Sequence, residues 1–193
     1  MDQELFFNYL SKFISLTANE KKILIPFLKY RKYLKGQYIV QQGDICNYNS
    51  FVLQGCLRTY HVDERGHEHV VRFAIENWWT TDMGSFINNT PADYNVQCLE
   101  NANVIQFTIS TLNKIFDLIP KFESFFRIII QNAFVASEKR IVRNFSLDAR
   151  ERYLAFSELY PQLDQRVPQY MIASYLGITK QYLSEIRNLI AHK

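Results

Sequence analysis

Residues 169–188 read QYMIASYLGITKQYLSEIRN, a stretch that predicts two short helices crossing at a tight turn. Gly177 falls in the turn, where the backbone needs the left-handed conformation that glycine adopts most easily. Ala173 is small where the two helices would approach. Apolar residues recur at the spacing that packs such a pair together: Ile172, Leu176, Ile178, Leu183 and Ile186. The stretch therefore indicates a helix-turn-helix.

The second helix of this pair offers polar side chains suited to DNA. Thr179 caps the helix and can also meet a phosphate. Lys and Gln side chains bond to base edges, and Glu accepts from cytosine. In a helix-turn-helix the beginning of the second helix enters the major groove. We therefore predict these DNA-binding residues: Thr179, Lys180, Gln181, Tyr182, Ser184, Glu185 and Arg187.

Charge is distributed unevenly along the chain. Residues 139–193 hold nine Lys or Arg and five Asp or Glu, which gives +4, and the other 138 residues carry −1 of the total +3. The positive excess thus lies in the C-terminal quarter, where a polyanion would bind. We expect extra phosphate contacts from Arg140, Arg143, Arg150 and Lys193.

Composition excludes several classes of protein. With 48% hydrophobic residues the chain can form a core, yet no apolar run approaches the roughly 18 residues of a membrane span. The acidic N-terminus is not typical of a secretory signal, so we expect a cytoplasmic protein with no membrane partner. Three separated cysteines, Cys46, Cys56 and Cys98, fit buried free thiols and predict neither a disulfide framework nor a metal site. No cofactor is predicted.

Upstream, residues 33–108 alternate short apolar runs with glycine turns, which predicts a small antiparallel barrel or jelly roll. Asp63 to Gly66 fits a hairpin turn. The predicted strands are 38–40, 51–53, 56–62, 68–75, 94–99 and 104–107. Helices flank this region: two within residues 2–30, the second begun by a capping box of Thr17 and Glu20, and a short one capped by Ser110 that ends before Pro120.

Residues 121–145 predict a long helix that is apolar almost all round until Glu138. One side can pack on the barrel, and the same helix of a second chain would cover the other. A core helix of a monomer is the alternative. We predict a homodimer in which the contact residues are Phe126, Ile130, Ala133 and Phe134.

The order of these elements resembles the cyclic-AMP receptor protein/fumarate-nitrate regulator (Crp/Fnr) family over nearly the whole chain. The matching segments are Leu34-Lys35-Gly36, Gln42-Gly43-Asp44, 53–58 (LQGCLR) and 172–179 (IASYLGIT). The resemblance implies an α+β fold: an antiparallel β-roll sensor domain (residues 1–120), a dimerisation helix (121–146) and an all-α helix-turn-helix domain (147–193). It implies a transcription regulator, not an enzyme, that binds a palindromic site on double-stranded DNA and can contact RNA polymerase.

The sequence departs from the cyclic-nucleotide members of that family, which carry a Gly-Glu pair and later an Arg that neutralises the cyclic phosphate. Here no Arg or Lys occurs between Arg72 and Lys114, and Asp93 would repel a phosphate, so we predict that cyclic AMP is not the effector. Trp78, Trp79 and Tyr94 fit either a more apolar pocket or the core equally well. The candidate pocket for an unknown small effector comprises Trp78, Trp79, Asp82, Met83, Gly84, Ser85, Asp93 and Tyr94.

Other sensors and functions stay open at this point. No cysteine precedes Cys46, which disfavours an iron–sulfur cluster, and His61, His67 and His69 fit solvated residues better than haem ligands. A cupin-like metal enzyme is suggested by the pair His67 and His69, but no carboxylate follows until Glu76. An interaction module with a degenerate helix-turn-helix is the remaining alternative, because Glu185 stands where many relatives are basic and we expect no β-hairpin wing after the second helix.

Overall fold

Two four-stranded antiparallel sheets form the N-terminal half of the computed structural model, which describes residues 2–191. The strands are β1 (Lys29–Tyr33), β2 (Tyr38–Val40), β3 (Asn49–Gln54), β4 (Leu57–Val62), β5 (Glu68–Ala74), β6 (Trp79–Thr80), β7 (Asn95–Cys98) and β8 (Ala102–Phe107). One sheet has the order β1-β8-β3-β6 and the other β2-β7-β4-β5. The predicted antiparallel β-roll is confirmed.

The six predicted strands are all present, and two more complete the sheets. β1 pairs with β8 from Lys29 opposite Gln106 to Tyr33 opposite Ala102. Its sequence, KYRKY, is almost wholly exposed, so no alternation of apolar residues marks it as a strand. β6 has only two residues and pairs with β3. The hairpin between β4 and β5 turns as predicted, with Gly66 at φ +81° and its N–H donating to Asp63 O at 2.9 Å.

Helices precede and follow the roll, and one short helix, α3, lies within it between β6 and β7. They are α1 (Asp2–Leu10), α2 (Ala18–Leu24), α3 (Met83–Asn88), α4 (Ile109–Leu118), α5 (Pro120–Ser146), α6 (Ala149–Leu159), α7 (Pro161–Arg166), α8 (Gln169–Leu176) and α9 (Lys180–Ala191). The capping box of α2 is confirmed, since Glu20 N donates to Thr17 Oγ1 and Thr17 N to Glu20 Oε2. The cap of α4 is Thr108, whose hydroxyl accepts from Thr111 N, so the prediction of Ser110 is wrong by two residues.

The first part of α5 belongs to the core of its own chain. Phe122, Phe125 and Phe126 are buried there among aromatic rings of α1, the sheets and α4. Phe126 lies 5.0 Å from Trp79 and 5.4 Å from Phe116, measured between ring centroids. The prediction that Phe126 contacts a second chain is therefore wrong, because this ring is already covered by its own roll.

A second apolar cluster joins the roll to the C-terminal helices. Side chains alternate between the two faces of a strand. Leu57 of β4 and Ala74 of β5 therefore lie in the core that also holds Phe126, whereas Tyr60 and Phe73 lie on the opposite face of the sheet. Helices α6 to α9 cover that opposite face. None of the helices described between residues 2 and 191 is long and apolar enough to cross a membrane.

Ion pairs reinforce this contact at its edge. Arg166, the last residue of α7, donates to both carboxylate oxygens of Glu76 at 2.7 and 3.0 Å and to those of Glu100 at 3.0 and 2.7 Å. Hydrogen bonds to Glu100 and Glu76 raise the pKa of Arg166 further. The C-terminal helices are thus fixed to the roll by an arginine that is satisfied on two sides.

Candidate nucleic-acid interface

The turn between α8 and α9 has the geometry that the sequence predicts. Gly177 adopts φ +68° and ψ +36°, and its N–H donates to the carbonyls of Ala173 and Ser174 at the end of α8. A Cβ at this position would meet no atom within 4 Å, so the left-handed backbone and not space requires glycine. Thr179 Oγ1 accepts from Tyr182 N at 3.2 Å, which confirms Thr179 as the cap of α9.

The apolar positions lock the two helices as predicted. Ile172, Ala173, Leu176, Leu183 and Ile186 are buried, and they belong to the cluster that also includes the roll. This packing leaves the remaining face of α9 in solvent. Six of the seven predicted DNA-binding residues are exposed: Thr179, Lys180, Gln181, Tyr182, Ser184 and Glu185.

Arg187 is the exception among the predicted DNA-binding residues. Its Nη1 donates to Asp164 Oδ1 of α7 at 2.8 Å, and the Tyr153 hydroxyl bonds to the same carboxylate. Arg187 is also 5.8 Å from the centroid of the Tyr153 ring. The guanidinium therefore fastens α9 to α7 and does not project toward DNA as the sequence predicts.

The basic residues that we expected to contact phosphates also differ in whether they are free to do so. Arg140 is engaged within the chain, since its guanidinium donates to Val71 O of β5 and Tyr175 O of α8. Arg150 is exposed, and Arg143 is half-buried at the end of α5. Lys193 lies outside the described residues. Arg140 is thus removed from the DNA-facing set.

Beyond the core, α5 carries an apolar surface that its own chain leaves uncovered. The exposed large apolar residues there are Ile130, Phe134, Val135, Ile141, Val142 and Phe145. Ala133 is exposed among them. Ile130, Phe134, Ile141 and Phe145 follow one another at intervals of four or seven residues, so they form a stripe along one side of a helix. The exposed surface of α5 includes three of the four predicted contact residues: Ile130 and Phe134 in this stripe, and Ala133 beside it.

In the candidate effector segment, an internal carboxylate fills a cradle of backbone amides. Asp82 is 2% exposed and caps α3. Its Oδ1 accepts from Ser85 N at 3.0 Å, and its Oδ2 accepts from Asp93 N at 2.8 Å and Tyr94 N at 3.1 Å. Three N–H groups that could hold an external anion are therefore already satisfied by a side chain of the protein.

The other members of the predicted pocket do not converge. Trp79 packs in the aromatic core, with ring centroids 5.4 Å from Phe51 and 5.0 Å from Phe126, so it is not a pocket residue. Trp78 contacts Tyr160 of the C-terminal helices edge-on at 5.5 Å, so it is an interdomain residue instead. Met83 and Gly84 are exposed, and the Ser85 hydroxyl donates to Thr90 O.

Arg72, which lies ten residues before the candidate effector segment in sequence, contacts the beginning of that segment in the structure. Arg72 Nη2 donates to Thr81 O at 2.9 Å, and Arg72 lies close enough to Asp82 for a Coulombic attraction. Arg72 is the last basic residue before the stretch 73–113, which contains no Lys or Arg. Its closeness to residues 81 and 82 arises from the folding of β5 and β6 and could not be inferred from sequence spacing.

The histidines of the β4–β5 hairpin bind a carboxylate at the surface. His69 Nε2 and His67 Nδ1 lie 2.9 and 3.4 Å from Asp63 Oδ2. The hydrogen bond from His69, followed by the His67 N–H, holds the pKa of Asp63 well below its usual range. Among residues 2–191, which the structure describes, no three His, Cys, Asp or Glu side chains are arranged to hold a metal ion. A cupin-like site is therefore not seen there.

Comparison with known proteins agrees with this architecture. Residues 30–118 match the cyclic nucleotide-binding domain family. Electron transport regulator A of Shewanella oneidensis is 23% identical over 186 residues, covering 89% of this chain and 73% of that protein. The structure of FixK2 from Bradyrhizobium japonicum superposes with a TM-score of 0.72 at 14% identity, over 86% of this chain and 85% of that one. The c-di-GMP responsive regulator CLP of Xanthomonas campestris gives 0.72 at 14% identity, over 91% and 93%.

The chain has the Crp/Fnr fold. The resemblance in fold predicted from the sequence is thereby confirmed, and residues 30–118 are similar to cyclic nucleotide-binding domains. Within this Crp/Fnr fold the amide cradle at Asp82 is closed by the chain's own carboxylate. The three amide donors of this segment therefore already have an acceptor within the chain.

Proposed function

We propose that this Crp/Fnr-type chain is a sequence-specific DNA-binding transcription regulator. The observation that carries the proposal is the exposed polar start of α9, from Thr179 to Glu185, presented by a turn that Gly177 fixes. Lys180 and Gln181 lie at the beginning of the helix, which is the part of a helix-turn-helix that meets base edges. Regulation of transcription, including contact with RNA polymerase, belongs to the same proposal.

The proposal includes a homodimer formed through α5. A monomer with six large apolar side chains exposed on one helix would leave an apolar patch in water, and such patches are typical of protein interfaces. A two-fold axis along this stripe would bring the two α5 helices together and give two copies of α9. Two half-sites about 34 Å apart on DNA require this symmetry.

The roll keeps a sensor role in this proposal, for an effector other than a cyclic nucleotide. A cyclic phosphate would compete with Asp82 for three amide donors and would meet Asp93 beside them. An uncharged or cationic ligand avoids that repulsion. We place its contact region at residues 82–94, and we propose no catalytic role for the chain.

Selection from random DNA tests the proposed function. The full chain is incubated with a random-sequence duplex pool, and bound molecules are amplified and sequenced. The double variant Lys180→Ala/Gln181→Ala removes the two side chains best placed for base contacts. A matched control, Asn113→Ala/Lys114→Ala, removes the same kinds of group from exposed positions of α4.

We expect the wild type and the control to enrich one two-fold symmetric motif, with half-sites about 10 base pairs apart. The double variant should enrich none, or a different one. A wild-type chain that enriches no motif, with or without small-molecule extracts added, would overturn the proposal and favour the interaction-module alternative.

A further inference from the structure

Three parts of the molecule meet at one side chain. Arg140 projects from α5, donates from Nη1 to Val71 O of β5, and donates from Nη2 to Tyr175 O of α8 at 3.2 Å. Its guanidinium also lies 4.0 Å from the centroid of the Tyr175 ring. Arg140 therefore connects the long helix, the roll and the first helix of the helix-turn-helix.

Both carbonyls that Arg140 contacts lie outside the regular hydrogen-bond pattern of their own strand or helix. Thr59 pairs with Arg72 and Tyr60 with Val70, so Val71 is the extra residue of a β-bulge and its carbonyl leaves the ladder. Tyr175 lies in the last turn of α8, where carbonyls lack partners within the helix and carry the negative end of the helix dipole. A cationic donor suits both positions.

Ser174, the neighbour of Tyr175, makes a second contact on the same strand. Its hydroxyl donates to Glu68 O at 2.9 Å and accepts from Val70 N at 3.0 Å. β5 is an edge strand, so these backbone groups face away from the sheet. The Ser174 hydroxyl takes the place of a neighbouring strand and docks α8 on the free edge of β5.

Aromatic packing makes this junction specific for arginine. Tyr175 packs against Phe73 of β5 and Phe156 of α6, with ring centroids 5.5 Å apart in each pair. A planar guanidinium can stack on Tyr175 and donate to two carbonyls at once, whereas a lysine ammonium offers a compact charge without that fork. The stacked and hydrogen-bonded guanidinium of Arg140 therefore fixes both the distance and the orientation of α8 relative to α5.

We propose that Arg140, with support from Ser174, is the positioning residue that sets the angle between the helix-turn-helix and the long helix. In a dimer this angle determines the separation of the two α9 helices, and hence the half-site spacing that the protein selects. The inference rests on the proposed function. The junction leaves Lys180, Gln181 and Ser184 exposed, so it orients α9 without covering it.

The test measures the dependence of DNA affinity on half-site spacing. Each added base pair rotates the second half-site by about 34°, so a rigid dimer distinguishes neighbouring spacings sharply. The selected motif is prepared with its spacing changed by one or two base pairs either way, and also as a single half-site. Arg140→Met keeps an unbranched stem against Tyr175 and removes the donors. Ser174→Ala removes the second contact, and Lys139→Gln is the charge-matched control on α5.

We expect the wild type and Lys139→Gln to prefer one spacing by about tenfold or more in Kd. Arg140→Met should bind all spacings within about threefold while keeping its affinity for the single half-site, because base contacts are unchanged. Ser174→Ala should show the same trend more weakly, and it replaces Arg140→Met if that variant does not fold.

Unchanged spacing preference in both junction variants would overturn the inference but leave the proposed function standing. Failure of the wild type to select any DNA sequence would instead overturn the proposed function. The two failures are therefore distinguishable in one set of titrations.

Discussion

Phe134→Ala should weaken the homodimer by a calculable amount. Phe134 is 63% exposed in the single chain. A buried aromatic side chain covers about 150–250 Å², so a dimer would remove about 110 Å² of each Phe134 from water, worth about 3 kcal/mol at about 25 cal/mol per Å². Two copies contribute in a symmetric interface, but one helix covers only part of each ring. We therefore expect a loss of about 2.5 kcal/mol per dimer, or about 50–100-fold in the dimer Kd.

Sedimentation equilibrium over a wide concentration range measures this Kd directly. Alanine favours helix, so the substitution should not weaken α5 itself, and far-ultraviolet circular dichroism verifies this. Ile87→Ala is the matched control, since Ile87 is 59% exposed on α3 and lies outside the proposed interface. A Phe134→Ala dimer within about threefold of the wild type would refute the assignment of this stripe to the interface.

Three further predictions concern the roll. Asp82→Ala should lower the free energy of unfolding by about 2–4 kcal/mol in urea titrations, because three backbone donors lose their acceptor, and cyclic AMP should stabilise neither protein. Burial raises the pKa of Glu76, but the hydrogen bond from Arg166 and backbone donors outweigh it and the net shift is downward from 4.5. Its stabilisation is therefore present above pH 4.5 and lost as pH falls through the lower folded value, so Glu76→Gln should flatten the acid limb of a stability–pH curve. Burial raises the pKa of Cys56 to about 12 and of Cys98 to about 11, so a thiol reagent at pH 8 should label them only after unfolding.

The local chemistry of the chain was sufficient to predict most of the roll. Alternating apolar residues between glycine turns marked six strands, and the β4–β5 turn formed at Gly66 as expected. β1 was not predicted, because its charged sequence has no apolar alternation and forms a strand only by pairing with β8. α7, which we did not predict, begins at Pro161, because proline is suited to the first position of a helix although it ends a helix when it falls further along.

The helix-turn-helix was also predictable, because Gly177, the cap Thr179 and the apolar spacing are all local signals. The contacts that decide what the exposed residues do are not local. Arg187 reaches Asp164, 23 residues away, and Arg140 reaches Val71, 69 residues away. Such pairs depend on how α5, α7 and the roll pack together, and one sequence carries no periodic signal for them.

The most direct test of the central claim is the ratio between the affinities for selected and random DNA. Fluorescence anisotropy of labelled duplexes at several salt concentrations gives this ratio for the wild type and for Lys180→Ala/Gln181→Ala. The account predicts that the wild type binds the selected duplex at least about 1,000-fold more tightly than random DNA, and that the double variant loses most of this ratio while retaining salt-dependent binding to both. Equal affinity of the wild type for the two duplexes, or a ratio unchanged in the double variant, would contradict the account.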